Sequence, residues 1–249
     1  MNQQHLLLDI EGTTCPVHFV SDVLFPFAKQ ELGNYIKHHW SASPHNKTIQ
    51  AAKKEWLDDQ STVSMQLKKR VSLQQINEID GLVQYLKHLI SIDKKSTALK
   101  DLQGKIWEQG YSKGELEAEL YPETAQCLRQ WHEQGLALSV YSSGSIQAQK
   151  LLYRHSSSGN LESLFSHWFD THIGPKKSTE SYTTISHQLK IPPGNIWFIS
   201  DNGAECDAAR KAGMHTLFSL RDGNPDRDAK DHAIIKSLLD VSTHLSKRA

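Results

Sequence analysis

The stretch His5-Leu6-Leu7-Leu8-Asp9-Ile10-Glu11-Gly12-Thr13-Thr14 decides the fold. Leu6, Leu7 and Leu8 form a continuous apolar run, the pattern of a short parallel strand covered on both faces. Two acids follow, Asp9 and Glu11, then Gly12 and two hydroxyls. A carboxylate at the carboxyl end of a central parallel strand stands where open α/β sheets bind ligands. Gly12 lets the backbone turn sharply and come close to one. Such a cluster suits a hard cation and can present a carboxylate nucleophile to a phosphoryl group. Taken alone, it reads equally well as a polar strand end in which Asp9 caps a loop.

Composition narrows the class. The chain has 249 residues with 38% hydrophobic and 22% charged, enough apolar material for a real core in one large domain or two modest ones. Lys plus Arg and Asp plus Glu both number 28, so the formal net charge is zero. Neither nucleic acid nor an anionic membrane is favoured by such a balance. Three scattered cysteines, Cys15, Cys127 and Cys206, make no disulfide framework and point to a reduced compartment. The cytoplasm is the expected location, with the nucleus open in a eukaryote. No zinc spacing appears among the fourteen histidines. The amino terminus does not read as a signal peptide, and no apolar run approaches the ~20 residues of a membrane span.

Past Thr14 the pattern is helical for a hundred residues. Val20 to Lys37 has roughly helical spacing, with Pro26 marking a kink or a new first turn. Lys47 to Asp58 predicts a helix with Ile49, Ala52 and Trp56 on one side. Ser72 to Ser91 predicts another, with Ser72 as its N-cap, and Leu99, Leu102 and Ile106 carry a further one to about Gln109. The loop Ser41 to Asn46 and the connector Asp93 to Ser96 separate them. Strand–helix alternation resumes past Tyr121-Pro122. Strands are expected at Leu136–Tyr141, His167–Phe169, Ile196–Ser200 and, as the last, Met214–Leu220. Helices are expected at Glu123–Gln134, Ile146–Tyr153, Ser178–Leu189 and from Asn202 to Gly213. A loop from Arg221 to Asp231 and a closing helix over Ile234 to Leu239 complete the chain. The implied architecture is α/β: a Rossmann-like parallel sheet core from residues 1–16 plus 121–249, with an all-helical cap, residues 17–120, inserted after the first strand.

Four groups fall at strand ends or on adjoining loops: Asp9 with Glu11, Ser142 with Ser143, Lys176, and Asp201 with Glu205. Each is weak alone. In this order on parallel strands they describe one site at the carboxyl edge of the sheet. Its chemistry fits phosphoryl transfer. Asp9 attacks phosphorus, and Glu11 protonates the leaving oxygen and then takes a proton from water. Ser142 and Ser143 hold phosphate oxygens at a helix start. Lys176 bridges Asp9 and the phosphate as a fixed positive charge. Asp9, a Glu11 oxygen and Asp201, with waters, suffice for one Mg²⁺ per subunit.

This layout resembles the haloacid dehalogenase-like phosphatases. There the residue two after the nucleophile is usually Asp; here it is Glu11. The variant Asp9-Ile10-Glu11-Gly12-Thr13-Thr14 resembles the signature of the enolase-phosphatases of methionine salvage. Val20 to Pro26, Ser96 to Gly104, Tyr141 to Ser145, Ala148 to Leu152 and Glu180-Ser181-Tyr182 agree with that family. The last of these, with its tyrosine six residues after Lys176, selects Lys176 over Lys177. The run Asn202-Gly203-Ala204 departs from the family's pattern, while Asp201 and Glu205 keep their places. The resemblance implies a two-step conversion of 2,3-diketo-5-methylthiopentyl-1-phosphate, enolised and then dephosphorylated to an acireductone, with Mg²⁺ serving both steps. It implies a cytoplasmic enzyme, expected to be a monomer, whose partner is a small phosphorylated diketone. Other readings are a phosphatase of the same fold acting on another small phosphate ester, a non-enzymatic binding module, and a halide-removing hydrolase.

Overall fold

In the computed structural model, residues 4–41, 46–92, 94 and 96–245 are described. The loop residues 42–45 and the connector residues 93 and 95 lie outside them. The chain divides into two compact units, one comprising Met1–Ser21 with Glu117–Ala249 and the other Asp22–Leu116.

The first unit is built on a six-stranded sheet. Its strands are β1 (His5–Leu8), β2 (Ala137–Tyr141), β3 (His167–Phe169), β4 (Ile196–Ser200), β5 (His215–Ser219) and β6 (Ala233–Ile235). They lie in the order β3-β2-β1-β4-β5-β6, every neighbouring pair parallel. β1 is central, and Leu6, Leu7 and Leu8 are fully buried, as a strand covered on both faces requires. On one face Leu7, Tyr141, Phe169, Tyr182, Phe198 and Phe218 share a core cluster. The strand order reverses between β1 and β4, so the switch point where open α/β sheets bind ligands falls at their carboxyl ends.

The second unit holds five helices among its described residues: α1 (Phe25–His39), α2 (Lys47–Asp58), α3 (Thr62–Ser72), α4 (Glu78–Ser91) and α5 (Thr97–Ser112). Pro26 falls in the first turn of α1, where its missing N–H costs nothing; a π-helical turn, Phe19–Leu24, precedes it. Polar side chains fix the other starts: Asn46, Ser61, Asn77 and Ser96 accept from the backbone N–H of Ile49, Ser64, Asp80 and Leu99. α1 and α5 bury Leu32 and Ile36 with Leu102 and Ile106, and the Trp107 indole donates to the Leu24 carbonyl at 2.8 Å.

The first unit also carries α6 (Thr124–Glu133), α7 (Ile146–Arg154), α8 (Thr179–Leu189), α9 (Gly203–Lys211) and α10 (Val241–Leu245). Two expectations from sequence are corrected. Ser72 does not open a helix but ends α3. The chain then reverses through Gln74, at φ 57°, and α4 starts at its own cap, Asn77. Leu73, inside the helix expected from Ser72 to Ser91, lies in the reversal and is 56% exposed. Nor is β5 the last strand. Ala233–Ile235 pairs with Leu217–Ser219 as the edge strand β6, and only Val241–Leu245 is α-helical beyond a short 3₁₀ turn.

Candidate active site

Asp9 stands one residue beyond β1 and Asp201 one beyond β4, so the two adjacent strands deliver both acids to one edge of the sheet. The Asp9 N–H donates to the Ile199 carbonyl at 2.9 Å, which carries the β1–β4 ladder one residue further. Past Asp9 the chain turns at once: the N–H groups of Thr13, Thr14 and Cys15 all converge on the Ile10 carbonyl. Gly12, at φ +68°, takes the left-handed conformation this turn demands. Its carbonyl accepts from Ser219 Oγ and Asn224 Nδ2, each at 2.9 Å, which ties the turn to the end of β5 and the loop after it.

Lys176 is the hub. Its ammonium lies 2.7 Å from Asp9 Oδ1 and 2.7 Å from Glu205 Oε2. Ser200 Oγ lies against the same two acids, 3.1 Å from Asp9 Oδ2 and 2.9 Å from Glu205 Oε2, the oxygen that also meets Lys176. Its single proton can serve one of them at a time. Asn202 accepts from the N–H groups of Ala204 and Glu205 and so caps α9, which aims Glu205 back at Lys176. Gly203 has a reason of its own: a Cβ there would lie 2.6 Å from the Asp228 carbonyl.

The electrostatics follow from four acids sharing one buried cation. Burial, together with the Asp9 charge, pushes the Asp201 carboxyl up to about 8. The same two causes push Glu11 up to about 7. Glu205 moves in the same direction, by burial and by Asp9. Burial works against the charged form of Lys176, but Asp9 and Glu205 outweigh it and hold the ammonium protonated well above its ordinary range.

Ser142 and Ser143 follow the end of β2, two and three positions past the Leu8–Val140 register pair. Ser142 is buried and Ser143 exposed. The turn they open is anchored by Gln149, whose Nε2 donates to the carbonyls of Gly144 and Phe169, and by Ser145, which caps α7. Asp9 and Lys176 thus meet directly, Glu11 and Asp201 lie near enough for their charges to act on them, and Ser142 and Ser143 stand on the neighbouring strand end. Sequence reasoning carried Glu205 only as the companion of Asp201 and missed Ser200. The one signal for Ser200 is its place, the last residue of a buried strand before an acid. A cavity of about 360 Å³ lined by Trp197, Met214, His215, Thr216 and His232 lies at the amino ends of β4 and β5, the opposite edge.

The donors offered by the cluster are all oxygen, the preference of a hard divalent cation, and excess negative charge is what such an ion relieves. Among the described residues no three His, Cys, Asp or Glu side chains stand in an arrangement that holds a metal as it is. Asp9 is engaged meanwhile by Lys176, Ser200 and the Ile10 N–H. The fit is therefore one of donor chemistry and charge.

Comparison with known proteins gives a consistent result. Residues 4–213 match the family described as haloacid dehalogenase-like hydrolase. A protein named enolase-phosphatase E1 from Synechococcus sp. (strain CC9605) is 72% identical over 98% of both chains. Another of that name from Parasynechococcus marenigrum (strain WH8102) is 56% identical over 98% of this chain and all of its own. Among solved structures, the UTR4 protein of Saccharomyces cerevisiae is 30% identical, with a TM-score of 0.70, over 95% of this chain and 98% of that one. A dehalogenase, 17% identical with a TM-score of 0.53 over 97% and 96%, shares the fold. The chain belongs to the haloacid dehalogenase-like hydrolases and, within them, to the enolase-phosphatase family.

Proposed function

We propose that the protein is a bifunctional, Mg²⁺-dependent enolase-phosphatase of methionine salvage. It converts 2,3-diketo-5-methylthiopentyl-1-phosphate to the acireductone 1,2-dihydroxy-3-keto-5-methylthiopentene and phosphate. The carrying observation is the ammonium of Lys176 bridging Asp9 and Glu205 at the carboxyl ends of β1 and β4. A fixed positive charge against the Asp9 carboxylate holds it facing the site where a phosphoryl group docks.

Asp9 is the nucleophile. A carboxylate oxygen bonds to phosphorus as the ester P–O bond breaks, and the leaving enol oxygen takes its proton from Glu11. Water then attacks phosphorus, Glu11 takes a proton from it, and the acyl–phosphate P–O bond breaks to return the Asp9 carboxylate. Ser142 and Ser143 bind the phosphate oxygens, and Lys176 offsets the charge that builds on them. Asp9, a Glu11 oxygen and Asp201 would hold one Mg²⁺, which when bound would supply Lewis-acid polarisation of the dicarbonyl and neutralise phosphate charge. The helical unit Asp22–Leu116 is inserted in the chain between β1 and α6. The protein acts as a cytoplasmic monomer. In support of that location, all three cysteines are free and buried.

Asp9→Asn tests the assignment. The amide keeps the side chain's volume and removes the nucleophile, so phosphate release should fall by on the order of 10⁴-fold or more with little change in melting temperature. Turnover at the parent rate would overturn the assignment. Assay of the diketone beside a panel of simple phosphate esters separates this reading from that of a general phosphatase.

A further inference from the structure

We infer that Tyr182, Ser181 and Tyr141 are positioning residues for Lys176, acting together as a clamp on its loop. Three consecutive carbonyls, those of Gly174, Pro175 and Lys176, each accept a different hydroxyl. Tyr141 Oη donates to Gly174 O at 2.9 Å, Ser181 Oγ to Pro175 O at 2.8 Å, and Tyr182 Oη to Lys176 O at 2.7 Å. The Ser178 N–H adds a second bond to Pro175 O at 2.9 Å.

A short Gly-Pro-Lys-Lys loop is ordinarily mobile, and a lysine on it has four rotatable bonds with which to wander. Here the three donors are rooted in the densest part of the molecule. Tyr141 and Tyr182 are fully buried and Ser181 nearly so. The Tyr182 ring stands edge-on to Tyr141 at 5.5 Å and to Phe198 at 5.0 Å. Gly174 takes φ 142°, and a Cβ there would overlap Ser181 Oγ, so the closest approach of loop to clamp falls where the chain has no side chain. Lys176 is thus held at its backbone by hydroxyls and at its head by two carboxylates, while its neighbour Lys177 is exposed. A charge fixed at both ends costs little reorganisation when a phosphoryl group arrives between it and Asp9.

This inference rests on the reading of Lys176 as the charge that meets the phosphate. The test is a double-mutant cycle of Tyr182→Phe and Lys176→Ala. It is read by equilibrium affinity for inorganic phosphate in saturating Mg²⁺, which stays measurable where turnover does not, and by kcat and KM of Tyr182→Phe alone. Tyr182→Phe keeps the ring in the core and removes one donor. It should lower kcat roughly tenfold with KM changed much less, and weaken phosphate binding about fivefold in the parent but not in the Lys176→Ala background. A parent-like kcat in Tyr182→Phe, or the same loss of phosphate affinity in both backgrounds, would overturn the clamp and leave Lys176 standing. Parent-like phosphate affinity and turnover in Lys176→Ala would overturn the role of Lys176 itself, and the clamp's role with it.

Discussion

The Gly12 α-carbon lies so close to the Asp201 carboxylate that a methyl group on it would overlap Asp201 Oδ2 and stand 2.8 Å from Asn224 Nδ2. A left-handed backbone at φ +68° already disfavours any side chain there. Gly12→Ala therefore meets two penalties at once. It should cost about 1–3 kcal/mol of stability and, by displacing Asp201, on the order of 10²-fold in kcat/KM. Urea denaturation and steady-state phosphate release check the two effects separately. Unchanged kinetics in a destabilised variant would show that Gly12 shapes the turn without setting the acid.

Asp201 carries a cost that the apo protein bears. Its carboxyl is pushed up to about 8 by burial and by Asp9. A folded-state pKa above the unfolded one means stability present at low pH and lost as pH rises from the ordinary carboxylate range through about 8. Asp201→Asn removes that loss. At pH 8 in chelator the variant should be more stable than the parent by about 1 kcal/mol or more. Saturating Mg²⁺ should reverse the order, since an ion at 100 times its Kd adds about 2.7 kcal/mol to the parent and little to the variant. Melting curves with and without Mg²⁺ measure both differences.

His5 supplies a pH dependence of the opposite sign, far from the acids. Burial, with a smaller effect of His167, pushes its pKa down to about 4, and its Nε2 lies 2.8 Å from Ser139 Oγ. The unfolded imidazole titrates near 6.5, so the contribution is whole above that pH and lost as pH falls from about 6.5 through 4. The loss amounts to about 3 kcal/mol at the lower end. In urea melts from pH 4 to 8, His5→Gln should flatten this part of the profile, and a profile unchanged by the substitution would exclude His5 as its source.

How far the sequence carries depends on what marks each element. β4 has the predicted limits because a buried apolar run ended by turn residues leaves little choice, and β3 keeps its limits too although only Phe169 in it is buried. Lys176 was separable from Lys177 only through Tyr182, and the bond from Tyr182 Oη to Lys176 O gives that spacing a physical meaning. The break between α3 and α4 carries no Gly or Pro, and its helical period runs on through Leu73; Asn77 alone signals the restart. β6 is three residues long, too short for alternation to distinguish it from the start of a helix. Ser200 and Glu205 escaped a role because the bonds that matter run across the fold, from Glu205 to Lys176 and from Ser200 to Asp9.

Glu123 and Arg221 form an ion pair 2.6 Å apart that is largely removed from water. Arg221 also donates to the Lys236 carbonyl at 2.8 Å and stacks over Tyr121 with its guanidinium 4.4 Å from the ring centre. Glu123 Oε1 accepts in addition from Ser237 Oγ at 3.0 Å and the Leu238 N–H at 3.1 Å. The pair therefore fastens the segment after β6 to the start of α6. Removing one member strands the other: Glu123→Ala leaves a buried guanidinium beside Tyr121 and should cost about 3–5 kcal/mol. Replacing both, as Glu123→Gln with Arg221→Met, leaves no buried charge and should cost distinctly less than Glu123→Ala alone, because desolvation of the pair offsets much of its attraction. Denaturant midpoints of the two variants decide it. A double variant as unstable as the single one would show that the hydrogen bonds of Glu123 to Ser237 and Leu238, rather than the charge on Arg221, hold this segment in place.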